Sequence, residues 1–305
     1  MKIKNVLWSL HMNAKEAWNY RKLKQDLDNK KWVDLAYKIN FRNSPELKNL
    51  ADTEFPRSVL IIPDGQRRFA HDARIENPTA YQMGADNLLL QLTTLSQADI
   101  PTQTAIAWGF STDNWLRPPK EIDGLMTLMN SSIPEIEKHL DLTGGRFIHL
   151  GRKQIRANMA SVYKDYPKLI ENMHALENKT SKNPGKVIAL AVDFGGFDQD
   201  LRTHEEALNA GTIFKPNTKI RLSPEDIWSW RDSAGLIRTV DLAIRTGEQI
   251  TAGKGIGTFH SSDIGWLNGK NTQWVNYEKR FPQLTLKDTA QAILTYANAR
   301  KMHGS

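Results

Sequence analysis

The sequence predicts an α/β fold: a central, mostly parallel β-sheet flanked by helices, with a helical N-terminal extension. Three observations carry this. Short apolar runs rich in β-branched residues recur from residue 58 onward, stretches of helical periodicity separate them, and no internal repeat or low-complexity tract interrupts the alternation. Strands alternating with long helices make βαβ units, whose crossovers join parallel neighbours. Sheets of this kind bind ligands beyond the C-terminal ends of their strands, so the residues following each run are where chemistry is expected.

Residues 1–55 are rich in Lys, Asn and Trp and hold two short helical patterns, 14–27 and 32–39, before Pro56. They are read as an extension preceding a catalytic domain of residues 56–305. The extension is either a packing arm without chemistry or a helix lying on a membrane surface, since Val6, Leu7, Trp8 and Leu10 sit among lysines. The expected strands are 58–62, 104–108, 146–150, 186–192 and 241–245. The expected helices are 80–97, 121–139, 154–177 and 286–301, the last with Thr285 as N-cap. Along 80–97, Met83, Leu88, Leu90 and Leu92 are candidates to line a hydrophobic tunnel. Helical spacing prevents all four from facing one way, so some belong to packing against the sheet.

With 305 residues the chain can bury a substantial core, and 40% apolar with 25% charged residues is ordinary for a globular protein. No run approaches the length of a membrane span, and no apolar segment ending in small residues opens the chain. The absence of cysteine excludes disulfides, thiolate zinc sites and cysteine nucleophiles. Together these predict a cytoplasmic protein whose membrane contact, if any, runs through residues 1–55. The net charge of +7 suits nucleic acid, an anionic membrane or phosphorylated small molecules, or serves solubility alone. Lys and Arg are spread along the chain rather than gathered in a stripe, so no nucleic-acid partner is expected.

The segment 63–70, P-D-G-Q-R-R-F-A, leaves the first expected strand. Gly65 permits a tight turn and a close approach of ligand to backbone. Arg67 and Arg68 can fork onto phosphate oxygens, whereas the Asp64 carboxylate would repel them. A hard cation such as Mg²⁺ between carboxylate and phosphate resolves the conflict; the plainer reading is a strand-end turn with a surface ion pair. The segment 108–118, W-G-F-S-T-D-N-W-L-R-P, follows the second strand. There Ser111, Asn114 and Arg117 supply polar groups, and Phe110 and Trp115 an apolar wall, which suits an amphiphile with a charged head. A third block, 240–248, reads V-D-L-A-I-R-T-G-E.

These blocks resemble the motifs of the cis-prenyltransferase family, which includes undecaprenyl diphosphate synthase: D-G-x-x-R-[WF]-A, then A-F-S-[ST]-E-N-W-x-R-P, then D-L-x-I-R-T-G-G-E. Weaker echoes lie at 147–151, 193–196 and 281–282, and the resemblance covers about residues 57–302. It implies that Asp64 is the catalytic acid that positions Mg²⁺ on the diphosphate, and that Gly65, Gln66, Arg67, Arg68 and Phe69 line the allylic diphosphate. It implies that Asn114 assists proton removal or orients the acceptor, and that Ser111, Thr112, Asp113, Trp115 and Arg117 complete the substrate site. Arg245 would bind the diphosphate of isopentenyl diphosphate, and a homodimer is implied.

The departures from the pattern define the alternatives. Tyr81 stands where the family has His, and Asp113 where it has Glu. Arg152 replaces an Asp, and Phe197 an Arg. After Glu248 a longer Gly-rich stretch intervenes. Alignment backward from Pro282 puts His260 and Ser262 at the family's Arg and Ser and puts Gln273 at its second metal carboxylate, with Lys254 a candidate substitute cation. The ionising half of the site is kept and the isopentenyl half altered. Asp-Gly-x-Arg-Arg-aromatic followed by Tyr81 also resembles tuberculosinol-type terpene synthases on the same fold, which act on one prenyl diphosphate. The expected functions are therefore a prenyl transferase acting on an allylic diphosphate and an acceptor, isopentenyl diphosphate or another molecule; a single-substrate terpene synthase; or a non-catalytic scaffold.

Overall fold

The computed structural model describes residues 32–209, 222–247 and 263–302. The expected 14–27 helix, the apolar residues near position 8, Lys254, His260 and Ser262 lie outside the described residues. A six-stranded sheet runs in the order β3-β4-β2-β1-β5-β6, and every neighbouring pair is parallel. The strands are β1 (Ser58–Ile62), β2 (Thr104–Ser111), β3 (Arg146–Leu150), β4 (Val187–Phe194), β5 (Leu242–Thr246) and β6 (Gln273–Tyr277). The helices are α1 (Trp32–Lys38), α2 (Gln66–Ala73), α3 (Asn77–Leu95), α4 (Pro119–Thr143), α5 (Ala157–Ala160), α6 (Asp165–Thr180), α7 (Gly196–Asn209), α8 (Pro224–Ser229) and α9 (Leu286–Met302).

The period of two along each strand sorts side chains between two cores. In β1, Val59 and Ile61 join Ala105, Phe147, Ile188 and Ile244 under α3, α4, α6 and α9. Leu60 and Ile62 point the other way, with Ile106, Trp108, Ile148 and Ala243, against Ile237, Ile264 and Leu267. Both faces are covered, which is why the strands read as continuous apolar runs. Phe41, Leu47, Leu50 and Phe55 lie in the first of these cores, and Gln97 donates from Nε2 to the Ala36 carbonyl at 2.6 Å, tying α1 to the end of α3.

Strands 58–62 and 146–150 coincide with expectation, and Thr285 caps α9 reciprocally with Asp288. One expected helix is corrected. The 154–177 stretch is two helices, α5 and α6, with a break between. Pro167 stands in the first turn of α6, where its missing N–H forfeits no intrahelical bond, a position that suits a helix start. β6, α2 and α7 were not expected from the sequence. The tunnel candidates also divide: Leu88 and Leu92 line an apolar recess, Met83 packs against Phe69 and Ala80 beneath α2, and Leu90 is buried without lining it.

Candidate active site

Asp64 follows β1, in the middle of the sheet, and three elements converge on it. Its Oδ2 accepts from Nη2 of Arg245, at the end of β5, at 3.1 Å. Its Oδ1 accepts from the Gly65 N–H and lies 3.6 Å from Nη2 of Arg68, on the first turn of α2. Its carbonyl accepts from Oγ1 of Thr246 at 2.9 Å and from the N–H of Phe281, beyond β6, at 3.1 Å. Arg245 is nearly buried, whereas the Asp64 carboxylate is 44% exposed. The acid therefore opens onto solvent from a fixed cationic base. Gly65 takes φ 89° as the residue preceding α2, so the turn needs a residue at ease in the left-handed region.

A cleft of about 1030 Å³ opens here. Asp64, Gly65, Gln66, Arg67 and Arg68 line it from β1 and α2, Tyr81 from α3, and Ser111, Thr112, Asp113, Asn114 and Arg117 from the end of β2. β2 shifts register on both sides of Phe110, and irregularity of this kind re-aims a strand end. Here it precedes the short turn Thr112–Leu116. In that turn the Asn114 Oδ1 accepts from the Ser111 N–H at 2.9 Å.

Phe69 and Trp115 do not line the cleft. Phe69 is buried between α2 and α3. Trp115 packs edge-on to Phe110 and Tyr166 and donates from Nε1 to Oδ1 of Asp193 at 2.7 Å. Asp193 is fully buried, and Arg156 holds it through both Nη2 and Nε at 3.1 Å. Burial pushes the Asp193 carboxyl up, against the Trp115 hydrogen bond and the Arg156 charge. Gln273 pairs with Leu242 at the N-terminal end of β6, four residues upstream of the strand end that faces the site.

Sequence reasoning missed Glu121. It accepts from the Tyr81 hydroxyl at 2.7 Å and from Nη1 of Arg117 at 2.9 Å, joining α3 to the β2 loop. Burial first, then Glu121, raises the Tyr81 pKa, so the phenol is a neutral donor. The signal was present: Arg117 and Glu121 stand at i, i+4 across a helix start. The cleft also holds Arg280 and Asp263, which had no sequence signal because β6 and its flanks were not foreseen.

An apolar recess of about 80 Å³ adjoins the cleft, between α3, α4 and the sheet. Tyr81, Gln66, Trp108 and Leu125 border both spaces, and Leu88, Leu92, Met129 and Ile136 line the recess. The arrangement is thus a charged cleft in which Arg67, Arg68, Arg117 and Arg280 stand among Asp64, Asp72, Asp113 and Asp263, with an oily side chamber. Among the described residues no group of three His, Cys, Asp or Glu side chains is placed to hold a metal. Asp64, whose carboxylate is 44% exposed in the cleft, is a side chain that could hold a hard cation whose remaining ligands were substrate oxygens and water.

The family model described as "Putative undecaprenyl diphosphate synthase" matches residues 62–304. The chain belongs to this family, the cis-prenyltransferases. An isoprenyl transferase of Clostridium acetobutylicum is 24% identical over 261 residues, covering 83% of this chain and 91% of the relative. A ditrans,polycis-undecaprenyl-diphosphate synthase of Shewanella oneidensis, specific for (2E,6E)-farnesyl diphosphate, is 24% identical over 262 residues, covering 85% and 86%. The fold is similar to that of lavandulyl diphosphate synthase from Lavandula x intermedia in complex with dimethylallyl diphosphate. That similarity has a TM-score of 0.66 and 21% identity, over 80% of this chain and 96% of the other.

Proposed function

We propose that this chain ionises an allylic prenyl diphosphate held with Mg²⁺ at Asp64 and transfers the prenyl group to an acceptor, isopentenyl diphosphate or another molecule. The observation that carries the reading is the junction of the Asp64–arginine cleft with the apolar recess: head and tail of a prenyl diphosphate have adjoining compartments. The allylic C–O bond breaks with its electron pair leaving on the diphosphate, the acceptor's alkene attacks the carbon left behind, and the new cation loses a proton from the adjacent carbon to an oxygen of the departed diphosphate. Mg²⁺, when bound, neutralises charge on the departing diphosphate. Arg67, Arg68 and the unpaired N–H groups of the first turn of α2 favour the same charge. Asn114 spends its carbonyl on the Ser111 N–H, which leaves its NH₂ for a ligand. Its role is thus to orient the acceptor or diphosphate rather than to remove a proton.

Tyr81 supports a second reading, a terpene synthase acting on one prenyl diphosphate. Tyr81 and Trp108 both line the cleft and the recess where the two meet, and aromatic faces stabilise cations. One assay separates the readings. Farnesyl or geranylgeranyl diphosphate is supplied with Mg²⁺, with and without isopentenyl diphosphate. Longer chains that need isopentenyl diphosphate support transfer; alcohols or hydrocarbons formed without it support the single-substrate reading. Excess EDTA is expected to stop either reaction, and undiminished turnover in EDTA would overturn the role of Asp64.

Filling the recess tests the tail compartment. Leu88→Trp and Leu92→Trp are expected to shift preference toward shorter allylic diphosphates or shorter products. Leu92 is in the core, so its variant also loses about 1–3 kcal/mol to overpacking; half-buried Leu88 is the cleaner site. Met83→Trp, on the α2 side, is the control expected to leave chain length unchanged. The same product distribution from all three variants would place the tail elsewhere.

A further inference from the structure

A prenyl diphosphate with its head in the cleft and its tail in the recess has its allylic carbon where the two spaces meet. Pro63, Gln66, Tyr81, Trp108, Gly109 and Leu125 line both spaces and form this neck. Gln66 donates from Nε2 to the Pro63 carbonyl at 3.1 Å and lies against α3, since a Cβ on Gly84 would come within 2.8 Å of its Cδ. Trp108 belongs to β2 and meets Phe194 edge-on. Tyr81 is 8% exposed, and its polar end is held from outside the neck, by Glu121.

Glu121 lines neither space. It stands in the first turn of α4, where the helix dipole favours a carboxylate, and its side chain is 11% exposed. A single oxygen, Oε1, accepts from the Tyr81 hydroxyl at 2.7 Å and from Nη1 of Arg117 at 2.9 Å. Arg117 lines the cleft and keeps further N–H groups for a ligand. Leu125, one turn further along α4, is itself part of the neck. One carboxylate thus ties a neck residue on α3 to a cation of the head compartment and to the helix that supplies Leu125.

We propose that Glu121 is a positioning residue for the ionisation step: through Tyr81 and Arg117 it fixes the neck relative to the head compartment, and so keeps water from the allylic cation. The proposal rests on the prenyl-diphosphate reading and adds to it a residue that does not touch substrate. A loosened neck admits water, whose oxygen lone pair forms a C–O bond to the cation. The proton it sheds passes to the departed diphosphate or to solvent, and a prenyl alcohol is released. A closed site prevents this capture of a reactive intermediate.

The test compares wild type, Glu121→Ala, Glu121→Gln, Tyr81→Phe and the Tyr81→Phe/Glu121→Ala double variant. Each is given farnesyl or geranylgeranyl diphosphate with Mg²⁺ and isopentenyl diphosphate. The measurements are kcat, KM and the share of prenyl alcohol among the products. Glu121→Ala is expected to lower kcat by roughly ten- to a hundredfold, the effect of a small misplacement near the reacting carbon, and to raise the alcohol share. The allylic KM should move by less than about threefold, because Arg67 and Arg68 remain to hold the head. Glu121→Gln keeps an oxygen that can accept both hydrogen bonds, so it should recover most of kcat. Tyr81→Phe should cost kcat on its own and add little to Glu121→Ala, the coupling expected of bonded partners. The alcohol share does not depend on how much protein is folded, so a merely structural role lowers kcat and leaves that share unchanged. An unchanged share, a rise in KM alone, additive losses in the double variant, Glu121→Gln no better than Glu121→Ala, or a wild type whose sole product is the alcohol would overturn the proposal and leave the prenyl-diphosphate reading standing. A wild type that turns over no prenyl diphosphate would overturn both.

Discussion

Asp64→Asn is expected to lower turnover of an allylic diphosphate by about 10³-fold or more while the protein stays folded. The substitution keeps the side-chain volume. It also keeps one acceptor oxygen, which can serve the Gly65 N–H, now on Oδ1, or Arg245, now on Oδ2, but not both. What it removes is the negative charge, and with it the protein's ligand for a divalent cation. Stabilisation of a leaving diphosphate by a metal is worth several kcal/mol, and each ~1.4 kcal/mol is a factor of ten in rate. The stability loss should be about 1–3 kcal/mol, because nearly buried Arg245 loses the charge facing it at 3.1 Å, while the long pair with Arg68 at 3.6 Å adds little. Single-turnover rates at saturating Mg²⁺, with far-ultraviolet circular dichroism as the folding control, decide the matter. A rate within tenfold of wild type in Asp64→Asn would refute the mechanism proposed for the cleft.

Where local pattern and burial coincide, the sequence was enough. β1 and β3 are buried on both faces and bounded by turn residues, so their ends could be read directly. The 63–70 and 108–118 blocks fall at strand ends and line one cleft because parallel strands deliver their C-terminal residues to one edge. The failures have equally physical causes. β6 is a half-buried edge strand with polar residues at Gln273 and Asn276, so it lacks the apolar run that betrays the inner strands. α2 begins inside a motif read as a loop, and its Phe69 turns into the core between α2 and α3 rather than toward ligand. Arg280 reaches the cleft against Gly65, more than 200 residues away in sequence, which no local spacing encodes. Glu121 could have been read from its spacing to Arg117, but its bond to Tyr81 is tertiary.

Asp193→Ala is expected to cost about 3–4 kcal/mol of stability, far more than a surface acid. Three consequences of the substitution act together. The carboxylate is fully buried and accepts the Trp115 Nε1–H; an unpaired buried donor costs about 1–3 kcal/mol. Arg156, 26% exposed, loses both of its contacts. Removing one partner of a buried pair costs about 3–5 kcal/mol when the other charge is left dry, and less here because water reaches the guanidinium. Asp193 also sits at φ 51°, where Asp and Asn are at ease and Ala is strained by roughly 1–2 kcal/mol. These contributions overlap and do not simply add. Asp193→Asn keeps the backbone preference and an oxygen for Trp115 and gives up only the charge, so its loss should be less than half as large. The effect should reach function through Trp115, which lies in the same five-residue turn as Asn114 and immediately before the approach to Arg117. In the Ala variant kcat should fall at temperatures where the protein is still folded, because the turn carrying Asn114 loses its anchor. Denaturant midpoints for the two variants, with kcat taken well below each transition, test both halves. Equal stability of Ala and Asn at position 193 would show that neither the Trp115 hydrogen bond nor the left-handed backbone matters to the fold. Full kcat in a folded Asp193→Ala would show that the turn holds its shape without Asp193.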